Sequence, residues 1–342
     1  MTLVSMPATE PRALDALEGL APPGRFRHVL VCLDRSSSAE ANIPYARRFA
    51  EAFGAKMTLL HVMPSEDGTG HEWSRPDALE WEIRRLQADQ YLRTVRTSLL
   101  PSASQSETST ELRQGVPAER IVATAREIGA DLTFLAIHGE GGARLGATTQ
   151  HVLAHGSLLV THPGWPVSAP PERILVPLDG STRAESVLPV VVTLARARGA
   201  EVILVHAVAD PTPTALLSDR ADFDLAESLA TRLEANAERY LGHLRERIMR
   251  DVPVVRTLVL RRAAVSQALL EASAEVRADL IVLGAHGSTC DVAQPYGSVS
   301  SYLLGNARIP LLVLQDTPAG EELRRSDAPA RPSTAPPAGD ES

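Results

Sequence analysis

The residues best suited to chemistry lie in a glycine-rich segment towards the carboxyl end of the chain. It reads Gly, two residues, Gly, nine residues and Gly-Ser, at Gly284, Gly287, Gly297 and Ser298. Glycines let backbone amides approach an anion closely, and a helix beginning at Ser298 would point its free amides and positive dipole end at phosphate. A tight strand-to-helix turn is the alternative for a lone Gly-x-x-Gly. The Gly-Ser at this distance favours phosphate binding.

A carboxylate lies early in the same half of the chain. Asp179 follows an apolar run that predicts a strand, on the sheet edge that faces the glycine segment. At that place it can accept hydrogen bonds from ribose hydroxyls or from an exocyclic amine. It also suits the turn before a helix that begins near Thr182, and the two roles are compatible.

Several signatures of catalysis are absent from the sequence. It has no Gly-x-x-x-x-Gly-Lys-[Ser/Thr] phosphate loop and no Gly-x-Ser-x-Gly nucleophile motif. No lysine lies near the glycine segment to stabilise a leaving phosphoryl group. We therefore expect phosphates to be held by backbone amides, a helix dipole and Mg²⁺, with little or no hydrolysis.

Histidines and cysteines do not form a recognisable site. His61 and His206 repeat between the halves, as do His138 and His286, but neither half has a spaced cluster of metal ligands. We interpret them as imidazoles hydrogen-bonded to backbone at strand ends. The chain has only 2 cysteines, which excludes a disulfide framework and a CxxC-type zinc site.

Composition excludes several classes of protein. The 342 residues include 34 Lys+Arg and 42 Asp+Glu, a net charge of −8 that gives no general attraction to nucleic acid or an anionic membrane. Fractions of 44% hydrophobic and 22% charged residues are typical of a globular protein. No window approaches the ~18 apolar residues of a membrane helix, and we identify no signal peptide. We expect a cytoplasmic protein that binds neither nucleic acid nor membrane.

The sequence contains an internal repeat. The segment 30–34 matches 175–179 at an offset of 145 residues, and 130–132 matches 278–280 at an offset of 148. A nearly constant offset over more than a hundred residues indicates duplication.

Each half alternates predicted strands and helices, five strands with four helices between them. This order predicts an α/β fold of two tandem doubly wound, Rossmann-like domains, each a five-stranded parallel sheet with helices on both faces. In the second half the pattern predicts one helix from Ser181 to the stop residue Gly199. The last strand of that half is predicted over 309–314, whereas its counterpart over 157–160 is shorter.

Composition also predicts where the domains, the linker and the terminal segments begin and end. We expect a flexible segment over 1–25, a first domain over 26–161 and a stiff proline-rich linker over 162–171. A second domain follows over 172–316. Residues 317–342 contain many prolines and one large apolar residue, so we expect a disordered tail.

With these motifs in place, the chain resembles a tandem universal stress protein, with two UspA-like domains in one polypeptide. The second half matches the family's nucleotide motif in full, together with the family's first strand and loop at 174–181. The resemblance implies that ATP, or another adenine nucleotide, binds there with Mg²⁺. It implies these binding residues: Pro177, Leu178, Asp179, Ala207, Leu283, Gly284, Gly287, Gly297, Ser298, Val299 and Ser300.

The first half departs from the family motif. Ala136 and Ala147 replace a glycine and the serine, and six residues instead of nine separate Gly139 from Gly146. We expect this site to be weak, altered or empty. Its candidate binding residues are Asp34, Val62, Gly139, Gly146 and Thr148.

The second half also departs from the family. The sequence Arg261-Arg262 stands where the family often has a Gly-x-Pro turn, which predicts two arginines near the mouth of the site.

The resemblance also implies partners. Family domains pair through their fifth strands, so the two halves are expected to form an intramolecular pseudo-dimer, and the shorter strand over 157–160 predicts an unequal pair. A homodimer and an unidentified protein partner are left open. Three functions remain: a nucleotide-dependent stress or signalling switch without turnover, a weak ATPase on the same fold, and a nucleotide-free interaction module.

Overall fold

The computed structural model describes residues 26–64, 78–100, 107–137, 146–162, 171–210, 220–288 and 295–315. The expected flexible segment over 1–25 and disordered tail over 317–342 lie outside these residues. So do Gly139 and most of the linker.

Strands and helices alternate along the described part of the first domain. Its elements are β1 (His28–Leu33), α1 (Ser37–Phe53), β2 (Lys56–Met63), α2 (Ala78–Leu99), β3 (Thr108–Gln114), α3 (Pro117–Ile128), β4 (Leu132–Ala136), α4 (Ala147–His155) and β5 (Ser157–Thr161).

The second domain repeats this order. Its elements are β6 (Arg173–Pro177), α5 (Thr182–Glu185), α6 (Leu188–Arg198), β7 (Glu201–Ala209), α7 (Arg220–Ile248), β8 (Val255–Arg262), α8 (Val265–Glu275), β9 (Leu280–Gly284), α9 (Ser298–Asn306) and β10 (Leu311–Leu314).

All ten strands form one continuous sheet. Their order is β3-β2-β1-β4-β5-β10-β9-β6-β7-β8, and each five-stranded half is parallel throughout. The halves meet where β5 and β10 pair antiparallel, with Leu312 opposite Leu159. The predicted fold class is confirmed, and so is the intramolecular pairing of domains through their fifth strands.

The paired strands are unequal in length, but the prediction that the first-domain strand is the shorter was wrong. The strand β5 has five residues and β10 has four, so the second-domain strand is slightly the shorter of the two. It begins only at Leu311 because Pro310 has no amide hydrogen to donate to a strand partner. The carbonyl of Pro310 still accepts a hydrogen bond from the amide of Ile281 at 2.9 Å.

The predicted single helix from Ser181 to Gly199 was also wrong. Two helices, α5 and α6, replace it, with Pro189 in the first turn of α6. Proline lacks the amide that a continuous helix would need there, so the chain restarts the helix. The predicted ends are confirmed: the hydroxyl of Ser181 accepts from the amide of Ala184 at 3.1 Å, and Gly199 ends α6 with φ +71°.

The core has two layers, one on each face of the sheet. Alternate residues of the buried strands divide between them: in β1, Val31 packs on one face and Leu30 on the other. Helices α1, α2, α6 and α7 cover the first face, and α3, α4, α8 and α9 cover the second. Each layer contains residues from both domains, so the halves share a continuous core.

A duplicated carboxylate fastens the start of each domain. Asp131 accepts hydrogen bonds from the amides of Arg27 (2.6 Å) and His28 (3.2 Å), just before and at the start of β1. Asp279 accepts from the amides of residues 172 and 173 at 2.8 and 3.0 Å. The repeated Ala-Asp-Leu motif is therefore part of the scaffold.

Candidate functional site

The site lies at the carboxyl ends of β6 and β9. The strand β6 pairs with β7 on one side and β9 on the other, which makes this edge the topological switch point where doubly wound sheets bind ligands. A cavity of about 360 Å³ opens there. All eleven residues proposed for the second domain line it: Pro177, Leu178, Asp179, Ala207, Leu283, Gly284, Gly287, Gly297, Ser298, Val299 and Ser300.

Four lining residues escaped the sequence analysis as contributors to the site. Ala184, Val265, Leu269 and His286 complete the cavity wall. Val265 and Leu269 are four residues apart on α8, so they share one helix face, and this spacing was the available signal. These two side chains add apolar surface to the cavity lining.

Asp179 ties the first loop to the glycine segment. Its Oδ1 accepts hydrogen bonds from the amide and hydroxyl of Ser181 at 3.0 and 2.6 Å, and its Oδ2 accepts from the amide of Ser288 at 2.6 Å. Ser181, not Asp179, caps the following helix. The carboxylate therefore sets the position of the loop after β9 relative to β6.

The close approach of Asp179 explains a glycine. A Cβ atom added at Gly287 would lie 2.5 Å from Oδ2 of Asp179, which is closer than two non-bonded atoms approach. Only glycine fits there without moving the carboxylate. The second glycine of the motif is thus required by packing within the site itself.

The hydrogen bonds of Asp179 favour its charged form. Partial burial would raise the pKa of Asp179, but the hydrogen bonds from Ser181 and Ser288 outweigh that effect and hold the pKa below its ordinary value. Asp179 is therefore ionised at neutral pH, and it places a negative charge in the lining of the cavity.

The amino end of α9 faces the cavity. Gly297 precedes the helix with extended backbone and provides no side-chain cap for its first amides. The amide of Gly297 donates to the carbonyl of Ala285 at 2.7 Å. The hydroxyl of Ser300 donates to the carbonyls of Gly284 (3.0 Å) and Ala285 (3.1 Å), so it fastens the first turn of α9 to the end of β9. This geometry suits an anion at the helix end.

Two of the strand-end histidines, His61 and His206, belong to the scaffold, whereas His286 lines the cavity and His138 lies outside the described residues. The Nδ1 atom of His61 lies 2.7 Å from the carbonyl oxygen of Leu33, and its ring meets Tyr91 edge-on. His206 meets Tyr240 in the same way. Burial lowers the pKa of both histidines, so they are neutral at pH 7.

The expected arginines do not line the cavity. Arg261 forms ion pairs with Asp210 at 3.3 Å and with Glu227 of α7 at 2.6 Å. Neither Arg261 nor Arg262 is among the cavity-lining residues in the described part of the chain. The prediction was wrong because acidic residues of the neighbouring helix attract Arg261 away from the site.

The corresponding place in the first domain is built differently. Asp34 accepts from the amide of Ser36 at 3.0 Å, which repeats the turn around Asp179. Arg35 replaces Gly180 and adopts the same left-handed backbone, with φ +70° against +83°. Its guanidinium lies over the ring of Tyr91, 5.6 Å from the ring centre.

The other first-domain candidates flank this turn. Val62 lies in β2, and Gly146 and Thr148 lie at the start of α4, whose first amides also have no side-chain cap. Gly139 lies outside the described residues, so only the other four candidates are described. Cys32 is buried in β1, where burial raises the pKa of its thiol well above the ordinary range.

The described residues contain neither a cluster of metal ligands nor a membrane-spanning helix. Within the described ranges, no three or more histidine, cysteine or carboxylate side chains are grouped so as to hold a metal ion. No helix in those ranges combines the length and apolar character needed to cross a membrane.

Comparisons with known proteins agree with this architecture. The family model described as "Universal stress protein family" matches residues 25–161 and 171–315. A universal stress protein of Mycobacterium tuberculosis is 27% identical over 312 residues, covering 87% of this chain and 100% of the relative. One from Mycolicibacterium smegmatis is 26% identical over 310 residues, covering 84% and 96%.

A solved structure shows the same fold. The crystal structure of a universal stress protein from Archaeoglobus fulgidus superposes with a TM-score of 0.60 at 16% identity, covering 84% of this chain and 98% of that one.

Proposed function

The chain belongs to the universal stress protein family, and from this premise we propose that its second domain binds ATP or another adenine nucleotide with Mg²⁺. In this proposal the nucleotide acts as a switch in a stress or signalling response and is hydrolysed slowly or not at all. The observation that carries the proposal is the single cavity that all eleven expected residues line.

The two sides of the cavity suit the two ends of a nucleotide. Val265, Leu269 and Leu178 supply apolar surface for a flat base. The uncapped amides at the start of α9 suit the phosphates at the opposite end. Asp179 also lines the cavity, and its ionised carboxylate can accept hydrogen bonds from ribose hydroxyls.

The charges of the cavity lining favour a nucleotide that binds together with a cation. No lysine or arginine lines the cavity among the described residues, and Asp179 adds a negative charge. Mg²⁺ prefers phosphate oxygens, water and one or two carboxylates, so a nucleotide-bound Mg²⁺ fits this donor set. The lack of a cationic side chain in the described lining also removes the group that would stabilise charge during phosphoryl transfer, which supports slow turnover or none.

We further propose that the two domains have different roles. Residues 26–161 form a domain with an altered site, 162–171 link the domains and 172–316 form the nucleotide-binding domain. The pseudo-dimer then presents its nucleotide-dependent surface to a protein partner in the cytoplasm. The left-handed Arg35 above Tyr91, in place of Gly180, supports the assignment of the altered site to the first domain.

Isothermal titration of the full chain with ATP, AMP and cyclic AMP, each with and without Mg²⁺, tests the proposal. We expect one bound nucleotide per chain. At a ligand concentration of 100 times Kd, the nucleotide should raise the free energy of unfolding by about 2.7 kcal/mol. Absence of heat and of any thermal shift with all three ligands would favour the nucleotide-free interaction module.

Phosphate release measured on the same samples separates the switch from an ATPase. We expect release no faster than that of a Gly284→Val/Gly287→Val double variant. Steady release well above that background would show an enzyme. Mass spectrometry of any small molecule that copurifies with the protein identifies the preferred nucleotide.

A further inference from the structure

One side chain connects the two domains next to the candidate site. Gln315 follows β10 in the second domain. Its Nε2 donates to the carbonyl of Leu153 in α4 at 2.7 Å and to the carbonyl of Pro295 at 2.8 Å. Its backbone amide donates to the hydroxyl of Ser157 at 3.2 Å. Gln315 therefore contacts the α4–β5 corner of the first domain and the glycine segment of the second.

The amide group of Gln315 is well suited to this connection. A glutamine amide has two N–H groups, and here each one has a carbonyl acceptor in a different domain. Leu153 lies in the last turn of α4, where the backbone carbonyls accept no hydrogen bond from an amide of the same helix. The side chain thus satisfies a helix end in one domain and fixes a loop carbonyl in the other.

The bond to Pro295 reaches the part of the loop that enters α9. Two residues later, the amide of Gly297 donates to the carbonyl of Ala285 at 2.7 Å. The amide of Ala285 in turn donates to the carbonyl of Leu314, the residue before Gln315, at 2.8 Å. This closed set of bonds positions the arm of the glycine segment that carries Gly297.

The matching position in the first domain holds a different side chain. His162 follows β5 as Gln315 follows β10. Burial and the charge of Arg308 lower the pKa of His162, so its imidazole is neutral at pH 7. A neutral imidazole has one N–H group and cannot donate to two carbonyls as the Gln315 amide does.

We propose that Gln315 is a positioning residue through which the first domain controls the nucleotide site of the second. It holds the Pro295–Gly297 arm in the conformation that accepts phosphate, with the α4–β5 corner as its support. Ligand binding in the second domain then tightens that corner, and a partner that moves the corner weakens nucleotide binding. This inference rests on the proposed function of the second domain.

Two variants test the connection in the full chain. Gln315→Met keeps the length of the side chain without donors, and Gln315→Glu places a carboxylate against two carbonyls. Gln90→Ala is the matched control because it removes a glutamine from an exposed hydrogen bond to Thr94 on α2, far along the sheet. The measurements are the Kd for ATP with Mg²⁺ and amide hydrogen exchange with and without that ligand.

We expect Gln315→Met to weaken ATP binding roughly fivefold, the effect of losing the one of its two side-chain hydrogen bonds that reaches the Pro295–Gly297 arm, and Gln315→Glu to weaken it further. In ligand-free protein, peptides over 295–303 and 151–158 should exchange faster in both variants, while those over 265–275 stay unchanged. In wild-type protein ATP should slow exchange over 151–158, and this effect should disappear in Gln315→Met. Gln90→Ala should behave as wild type throughout.

Each outcome distinguishes the two proposals. If wild type binds ATP and Gln315→Met retains both its affinity and the slowed exchange over 151–158, the coupling is refuted and the proposed function stands. If wild type binds no adenine nucleotide, the proposed function fails, and unchanged exchange over 295–303 in ligand-free Gln315→Met would refute the positioning role separately. Should Gln315→Met prove unstable, Gln315→Glu provides the same comparison.

Discussion

The two domains share a scaffold but differ where a ligand would bind. Both keep the carboxylate that fastens their first strand and the left-handed glycine that ends the first long helix of each domain, at Gly54 and Gly199. At the carboxyl edge, Arg35 replaces Gly180 and Cys32 replaces Pro177. The two copies therefore share the features that hold the fold together and differ in residues at the edge of the proposed ligand site.

The divergence is local. The strand-end histidine packs edge-on against a tyrosine in both domains, and the aspartate turn is retained in both. The amide of Ser288 reaches the second oxygen of Asp179, whereas the segment that would supply its counterpart in the first domain, residues 138–145, lies outside the described residues. This comparison predicts that substitutions at matched positions will have unequal effects on ligand binding.

The largest difference is expected at the motif glycines. Gly287→Ala places a methyl group against the carboxylate of Asp179, so either the loop or the carboxylate must move. Overpacking of this kind costs about 1–3 kcal/mol, and we expect nucleotide affinity to fall roughly tenfold to a hundredfold. The first-domain counterpart of Gly287, Gly139, lies outside the described residues. The other motif glycine of that domain, Gly146, which matches Gly297, provides the comparison: Gly146→Ala meets no atom within 4 Å and should leave affinity unchanged. Titration calorimetry of both variants measures the difference.

A double variant checks the cause of that loss. In Gly287→Ala/Asp179→Gly the methyl group no longer faces a carboxylate, so the Gly287→Ala change should cost little beyond the Asp179→Gly change alone. If Gly287→Ala lowers nucleotide affinity equally with and without Asp179→Gly, the clash with Asp179 is not the cause of the affinity loss.

The next difference is expected at the aspartates. Asp179→Asn removes the charge that accepts the amide of Ser288, and a hydrogen bond to a charged group contributes about 1.5–3 kcal/mol. We expect an affinity loss of at least tenfold. Asp34→Asn should leave nucleotide affinity within experimental error. Comparable losses for the two variants, measured by equilibrium dialysis, would mean that the first domain binds nucleotide as well.

The fold class could be predicted from the sequence because the alternation of buried strands and amphipathic helices is a local pattern. The glycine spacing likewise placed Gly297 and Ser298 at a helix start. The pairing of the fifth strands and most of the cavity residues came instead from the resemblance to the family. Side-chain contacts between segments that are distant in the sequence could not be predicted. The ion pairs of Arg261 with α7 and the apolar wall of α8 depend on how helices pack, which spacing along the chain does not specify.

A smaller effect is expected from exchanging the turn residues. Gly180 has φ +83°, where a side chain costs about 1–2 kcal/mol, so Gly180→Ala should lower the free energy of unfolding by about 1 kcal/mol. Arg35→Gly relieves the same strain in the first domain but loses the contact with Tyr91, so its net effect should be smaller. Gly242→Ala within α7 is the control and should stabilise slightly. Urea unfolding of the three variants provides the values.

The smallest effect concerns a feature that the domains share. Burial lowers the folded-state pKa of His61 and His206 below the unfolded value of about 6.5. The unfolded chain therefore binds more protons in this range, so their contribution to stability is full above pH 6.5 and is lost as the pH falls towards the folded pKa. Urea unfolding at several pH values should show a shallower decline below pH 6.5 for His61→Gln and His206→Gln, by similar amounts. A clear inequality would place one of the two histidines in the ligand site instead of the scaffold.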